Sequence, residues 1–259
     1  MKFKSLLTIF TLVLFFASVL TAQQFRERNE AFELDKNGKV VIDTYKGSIK
    51  VDTWDKDEVK VYVKIVADES WNGTDPEDQL EEVKIKFKSN DDALYIESDY
   101  KSTTTSWFGS QTRALVNYVI TMPRTANLYV DDYKSDSEIS GLNSDISFET
   151  YKGDLVLSNF EGALDIETYK GDLRIDVDKL LGDSSFETYK GRITVSLPSS
   201  TAFTLDADMG RKGDLDSEFD ITYKGKAKRD RDVIKGDVNG GGHKIEFETY
   251  KGDLKLVSK

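Results

Sequence analysis

Tyr151-Lys152-Gly153-Asp154-Leu155-Val156-Leu157, Phe160-Glu161-Gly162-Ala163-Leu164-Asp165-Ile166 and Tyr169-Lys170-Gly171-Asp172-Leu173-Arg174-Ile175 follow one another along the chain. Each nine-residue unit reads aromatic, polar, glycine, small or acidic, then apolar, polar, apolar. Alternation of period two marks a strand with one buried face. The glycine marks a turn that needs either a positive φ or room for a close backbone approach. One unit is therefore a strand plus a turn, and two units make an 18-residue coil.

The word Thr-Tyr-Lys-Gly begins at Thr44, Thr150, Thr168, Thr188, Thr222 and Thr249, with a worn copy at Asp132-Tyr133-Lys134-Ser135. Tyr133, Tyr151, Tyr169 and Tyr189 are spaced by 18, 18 and 20 residues, and Arg211-Lys212-Gly213-Asp214-Leu215 resembles another decayed copy. A strand-plus-turn unit cannot bury its apolar face alone, so units must stack. The predicted fold is all-β: a β-solenoid-like stack of ~18-residue coils, rungs ~4.8 Å apart. Leu155, Leu157, Leu164, Ile166, Leu173, Ile175, Phe186, Ile193 and Val195 are its expected interior. An antiparallel sandwich of hairpins would also serve the pattern; the regular spacing favours stacking.

The N-terminal half is β-rich and less regular. Strands are expected at 40–51, 58–66, 83–88, 93–98 and 114–122, with Asp35-Lys36-Asn37-Gly38 as a hairpin turn before the first. Residues 76–82 suit one short helical turn. Lys101 to Thr112 is a Ser/Thr loop carrying Trp107 and Phe108.

Lys2 and Lys4, an apolar run from Leu6 to Leu20 and the small Ala22 match an export signal, with cleavage expected after Ala22. The run is short of the ~20 residues a spanning helix needs. The expected organisation is a signal at 1–22, a β-rich half at 23–130 and a repeat half at 131–259, the halves forming one continuous domain. No second apolar segment long enough to span a bilayer follows. Location is expected to be periplasmic, or extracellular at the cell surface.

With 47 acids against 36 Lys and Arg, the formal net charge is −11. That balance argues against nucleic acid and an anionic membrane surface, which both reward a positive face. There is no cysteine, so disulfides, thiol nucleophiles and thiolate metal sites are excluded.

Trp54-Asp55-Lys56-Asp57-Glu58-Val59 follows the first glycine turn, and Val116 to Pro123 runs into Ala126 to Val130. The Gly-Asp-Leu turns come next, and Gly240-Gly241-Gly242 leads into a closing strand-turn-strand from Lys244 to Leu256. In this order the segments resemble the bacterial "putative adhesin" β-strand-repeat family of unknown function, related to auto-transporter adhesin head domains. The resemblance runs from about Val40 to the C-terminus. It implies an exported solenoid-like fold, a cell-envelope location and an adhesion or envelope-stress context, and it carries over no catalytic residues. The repeated Tyr-Lys departs from the small or β-branched residue usual before that family's turn.

Candidate ligand-binding residues are Tyr151, Lys152, Tyr169, Lys170, Tyr189 and Lys190, which form ladders if coils stack in register, together with Trp107 and Phe108. Glu149, Glu167 and Glu187 form a neighbouring column; these acids, with Asp154 and Asp172 beyond the glycine, would offset the lysine repulsion. A binding stripe for a cell-surface glycan or envelope protein competes with a turn consensus in which tyrosine rings cover the corner. The rule that repeat-consensus residues serve stacking favours the latter. Trp107 and Phe108, like Trp71, suit either a contact or a lid on the core.

His243, the one histidine, lacks partners for a triad or metal site. Calcium at Asp131-Asp132 or at Asp206 and Asp208 would lack a loop of defined ligand spacing. No acid-base pair stands out among so many carboxylates. The expected function is an exported, adhesin-like envelope module for binding or structure, without catalysis or cofactor. A periplasmic accessory of envelope-stress signalling and a polysaccharide-active β-helix enzyme are the alternatives. Solenoid ends need capping, and the N-terminal half and the closing strand Lys244 to Leu256 are the expected caps.

Overall fold

The computed structural model describes residues 24–68, 75–100, 114–224 and 233–259. The export-signal segment, Trp71, Trp107 and Phe108 lie outside them. Strands β1 (Phe25–Glu33), β2 (Lys39–Trp54) and β3 (Glu58–Val66) precede helix α1 (Pro76–Glu81). Next come β4 (Val83–Asn90), β5 (Ala93–Tyr100), β6 (Leu115–Pro123) and β7 (Asn127–Ser140). The repeats supply β8 (Ile146–Lys152), β9 (Leu155–Gly162), β10 (Leu164–Lys170), β11 (Leu173–Leu180), β12 (Ser184–Lys190) and β13 (Arg192–Leu197). The last are β14 (Phe203–Asp208), β15 (Leu215–Ser217), β16 (Thr222–Tyr223), β17 (Val233–Val238), β18 (His243–Thr249) and β19 (Asp253–Ser258). The expected helical turn is α1, with Asp75 capping it by accepting from the Glu77 N–H at 2.8 Å.

Eight rungs stack among the described residues, each with a strand on one face and a strand on the second face. In spatial order they are β5/β6, β2, β7, β8/β9, β10/β11, β12/β13, β18/β19 and β14/β15, numbered here rungs 1 to 8. All of these pairings are parallel. Strands β2 and β7 turn the corner unbroken, so both faces belong to one open, 19-stranded hydrogen-bonded sheet. Since β7 spans 127–140, both faces also run without interruption from the irregular half into the repeats.

Alternation decides what is inside. One face aligns Ile42, Val130, Phe148, Ile166, Phe186 and Phe247 in a column, and the other aligns Leu155, Leu173, Ile193 and Leu254. All are at most 3 % exposed and join one apolar core. Every residue expected in the interior is buried there. The core also explains the parallel stack: like residues lie over like, each layer filling the space left by the last.

The ends correct the expected capping. The closing coil β18/β19 is not a cap; it is inserted between rungs 6 and 8, and β14/β15 is the end rung. Coil β2 is likewise inserted between β5/β6 and β7. The edges are covered by antiparallel strands: β4 beyond β5, β3 and β1 beyond β6, and β17 with β16 beyond β14. The Asp35–Gly38 turn closes with Gly38 N–H on the Asp35 carbonyl at 2.8 Å. It is not a hairpin turn, because β1 pairs with β3, while β2 pairs with β5, β6 and β7. Among the described residues, no helix is long and apolar enough to cross a membrane.

Candidate functional site

The candidate site is the corner between the two faces. At each interior rung except rung 3 the chain places an acid outward, threonine inward, tyrosine outward, then lysine and glycine through the bend. The glycine answers to close approach. A Cβ on Gly171 would lie 2.0 Å from the Gly153 carbonyl oxygen, and one on Gly191 2.0 Å from that of Gly171. Asp154 and Asp172 then tie rungs together: the Asp172 N–H donates to Asp154 at 2.8 Å and the Arg192 N–H to Asp172 at 2.9 Å.

Tyrosines Tyr45, Tyr133, Tyr151, Tyr169, Tyr189 and Tyr250 form one continuous stack. Ring centroids are 4.7–5.1 Å apart and planes differ by 3–11°. Tyr133, Tyr151, Tyr169 and Tyr250 are 36–44 % exposed. Since each inner ring is covered on both sides by its neighbours, what the stack offers to solvent is ring edges and hydroxyls. A sugar ring therefore has no free aromatic face to lie against along the middle of the column. The expected tyrosine pairs 151–169 and 169–189 are both present, and Tyr45, Tyr133 and Tyr250 extend them.

Beside the rings run Lys46, Lys134, Lys152, Lys170, Lys190 and Lys251. Lys46 lies opposite Lys134, and Lys152, Lys170 and Lys190 lie in register. The Nζ atoms of Lys152, Lys170 and Lys190 sit 5.0, 5.6 and 5.8 Å from the ring centroids of Tyr151, Tyr169 and Tyr189. Lys46 pairs with Asp68 at 2.5 Å. Among the described residues no carboxylate comes within ion-pair distance of Lys152, Lys170 or Lys190. The acids expected to neutralise them do not, because the glutamates lie across the tyrosine row and Asp154 and Asp172 bind backbone.

The acid row is longer than its repeat word suggested. Glu97, Asp43, Asp131, Glu149, Glu167, Glu187, Glu248 and Asp208 are paired in register through all eight rungs. Partial burial, then the charges of Asp131 and Glu97, raises the Asp43 pKa. Glu149 is raised in the same way, by burial and then by Asp131 and Glu167. Asp132 is different. It replaces the inward threonine at rung 3, is 3 % exposed, and accepts from Ser135 N–H and Oγ at 2.6 Å and from Thr150 Oγ1 at 2.9 Å. Burial raises its pKa against the opposing pull of those hydrogen bonds.

Other expectations resolve simply. The word at Thr222 is not a corner: Tyr223 lies on edge strand β16 and is 67 % exposed. His243 begins β18, 3.7 Å from Asp183. Asp206 pairs with Lys235 at 2.6 Å. Among the described residues, no group of three or more His, Asp or Glu is placed to hold a metal ion.

A family model described as Toastrack DUF4097 matches residues 30–257. The chain belongs to this family. The Toastrack match spans both halves and includes every rung of the stack. A solved "putative cell adhesion protein" from Clostridium sporogenes ATCC 15579 is similar over 91 % of this chain and 100 % of its own, at 14 % identity and TM-score 0.51. A "putative adhesin" from Bacteroides fragilis NCTC 9343 is similar over 90 % and 97 %, at 14 % identity and TM-score 0.43. At such identity the first likeness speaks to the fold. No curated protein matches the chain.

Proposed function

We propose that this Toastrack chain is an exported, non-catalytic binding module of the cell envelope, adhesin-like in its use of an extended surface. It would act in the periplasm or at the cell surface, with residues 23–259 working as one continuous domain. The observation that carries this reading is the outward column of stacked tyrosines flanked by lysines, of which Lys152, Lys170 and Lys190 make no ion pair among the described residues. Tyr151, Lys152, Tyr169, Lys170, Tyr189 and Lys190 are its centre. A core needs only the inward residues, yet the outward tyrosine recurs at six successive rungs. Tyrosine supplies contact area with little conformational entropy to lose, and its hydroxyl remains available for hydrogen bonding. The ligand class proposed is a cell-surface glycan or envelope protein, met by hydroxyls, ring edges and ammonium groups.

The test begins with fractionation of native cells, followed by pull-down from the compartment that holds the protein. Purified chain carrying Lys152→Gln, Lys170→Gln and Lys190→Gln together should bind that envelope fraction at least about tenfold more weakly, with an unchanged thermal melt; one exposed charge pair is worth ~0.2–1 kcal/mol. Unchanged binding, or an unfolded triple variant, would make the column a structural feature only.

A further inference from the structure

The two charged rows are the unusual part of this surface. Like charges directly opposite on neighbouring strands destabilise a sheet. Even so, a carboxylate occupies the same outward position in all eight rungs, including rungs 1 and 8, where Thr-Tyr-Lys-Gly is not kept. The lysine row repeats the cost on the other side of the rings. The rows do not neutralise each other within the chain. Three residues of strand separate them, ~10 Å, with a tyrosine between. Among the described residues Asp43, Asp131, Glu149, Glu167, Glu187 and Glu248 make no ion pair, and neither do Lys152, Lys170 and Lys190.

We infer that the acid–tyrosine–lysine stripe is a self-recognition surface on which a second copy of this chain docks. The inference rests on the proposal that the column is a contact surface, and it names the partner. A ligand that answers both rows must carry an anionic and a cationic row, parallel, ~10 Å apart and at the ~4.8 Å pitch of stacked strands. This chain itself carries both. Orientation follows from symmetry. A two-fold axis along the stacking direction exchanges the left and right of the stripe, so each acid row lies over the other copy's lysines, rung by rung. A two-fold across the stripe would set acid on acid. Under the first operator Glu167 faces Lys170 of the second copy, Glu149 faces Lys152, Glu187 faces Lys190, and the tyrosine edges meet along the centre. Such an isologous contact closes at two copies.

The stripe is ~24 Å long and ~10 Å wide, or ~240 Å² per copy, well under the ~800 Å² of a standard stable interface. The contact is therefore weak and salt-sensitive, and it gains strength where many copies are held on one surface.

Sedimentation of the purified chain at ~1 mM and low ionic strength should show dimer, with the dissociation constant rising at least about tenfold on going to ~0.5 M salt. The deciding measurement is a charge swap. Lys152→Glu with Lys170→Glu and Lys190→Glu gives two acidic rows; Glu149→Lys with Glu167→Lys and Glu187→Lys gives two basic rows. Each variant alone should be monomeric, and an equimolar mixture should form a heterodimer. Three reversals change the charge by six units from −11, so both variants stay net negative and bulk attraction cannot drive their pairing. If a triple variant does not fold, Lys170→Glu mixed with Glu167→Lys tests one rung in the same way. Wild-type protein that stays monomeric, or a mixture that does not associate, overturns self-recognition. If envelope binding is then still lost in the lysine-to-glutamine variant, the contact-surface proposal survives with a foreign ligand; if that binding is unchanged, both fall.

Discussion

Rung 3 and rungs 4 to 6 share a backbone and differ in what they bury. Their strands pair in register, and Tyr133 stacks on Tyr151 at 4.9 Å as Tyr151 stacks on Tyr169 at 4.7 Å. Inside, rung 3 has Asp132 for threonine, Ser135 for glycine and Ser137 for leucine or isoleucine, all at most 4 % exposed. Ser135 and Thr150 satisfy the carboxylate, whereas Ser137 Oγ has no hydrogen-bond partner among the described residues. Outside, Asp131, Tyr133 and Lys134 keep the acid, ring and ammonium of the regular rungs. The interior of one rung has drifted toward polarity while its outward stripe has not. That difference is what a surface with a role of its own would leave behind, since stacking alone constrains the inside more.

The hardest way to break the comparison is to give rung 5 the interior of rung 3. Ser137 lies in the column of Leu155 and Leu173, so Leu173→Ser puts a buried hydroxyl and a cavity where rung 5 now has a leucine. A loss of about 4 kcal/mol in urea unfolding is expected, at the level of large-to-small core changes. A loss under about 1 kcal/mol would mean a core that collapses freely, contrary to the layered packing described. Gly171→Ala comes next, at about 3 kcal/mol. Its Cβ would lie 2.0 Å from the Gly153 carbonyl oxygen, a backbone atom that moves only with its whole rung. Rung 3 already carries a Cβ at the same place in Ser135, so Ser135→Ala meets no such clash and loses instead the Oγ donor to Asp132.

Period, strand positions and interior were legible because alternation and glycine act locally. Glu58–Val66 coincides with its expected span, and Leu155 through Val195 face inward as anticipated. The order of rungs was not legible, because register between distant coils is decided by which faces fit, not by chain order. A trace of it exists. The words at Thr44 and Thr249 are intact and lie at inserted rungs, whereas the decayed copy around Arg211 is the end rung, with no further rung to stack a tyrosine on. The word at Thr222 misleads for a related reason. Thr222 and Tyr223 lie on edge strand β16, which pairs antiparallel with β17 and takes no place in the parallel stack of rungs. The tyrosine column could be seen from its spacing. Glu97, Asp131 and Asp208 escaped because their neighbours along the chain do not match the repeat word, and Asp43 and Glu248 because their words, though intact, lie outside the regular 18-residue spacing.

Repairing rung 3 sharpens the comparison from the opposite direction. Asp132→Thr with Ser135→Gly restores the regular corner and should stabilise the fold by about 1.5 kcal/mol at neutral pH, within the usual range for consensus repair. The pH dependence identifies the cause. Burial raises the Asp132 pKa above its ordinary 3.8, so the folded state holds this proton more tightly than the unfolded chain does. The cost of the buried charge is fully present above the raised value and is relieved as pH falls toward 3.8. The gain of the double variant, measured as a difference in melting temperature, should therefore be largest at pH 7 and shrink as the pH is lowered. A gain that is flat with pH would assign the penalty to packing at positions 132 and 135.

The smallest effect expected is the one that best separates stacking from binding. Tyr169 is stacked on both sides, by Tyr151 at 4.7 Å and Tyr189 at 4.8 Å, whereas Tyr250 ends the column with Tyr189 at 5.1 Å. Aromatic pairs are worth ~0.5–1.5 kcal/mol beyond burial, and half-exposed rings belong at the low end. Tyr169→Leu should then cost about 1 kcal/mol and Tyr250→Leu about 0.5 kcal/mol, a ratio set by the number of neighbouring rings. Stability counts ring neighbours; a ligand or second copy lying along the stripe counts hydroxyls and edges, of which each tyrosine offers one set. Stability losses in a two-to-one ratio with equal losses in association would show that the rings serve both roles. Losses that track each other in both measurements would leave the column as a structural spine, with the charged rows alone to carry recognition.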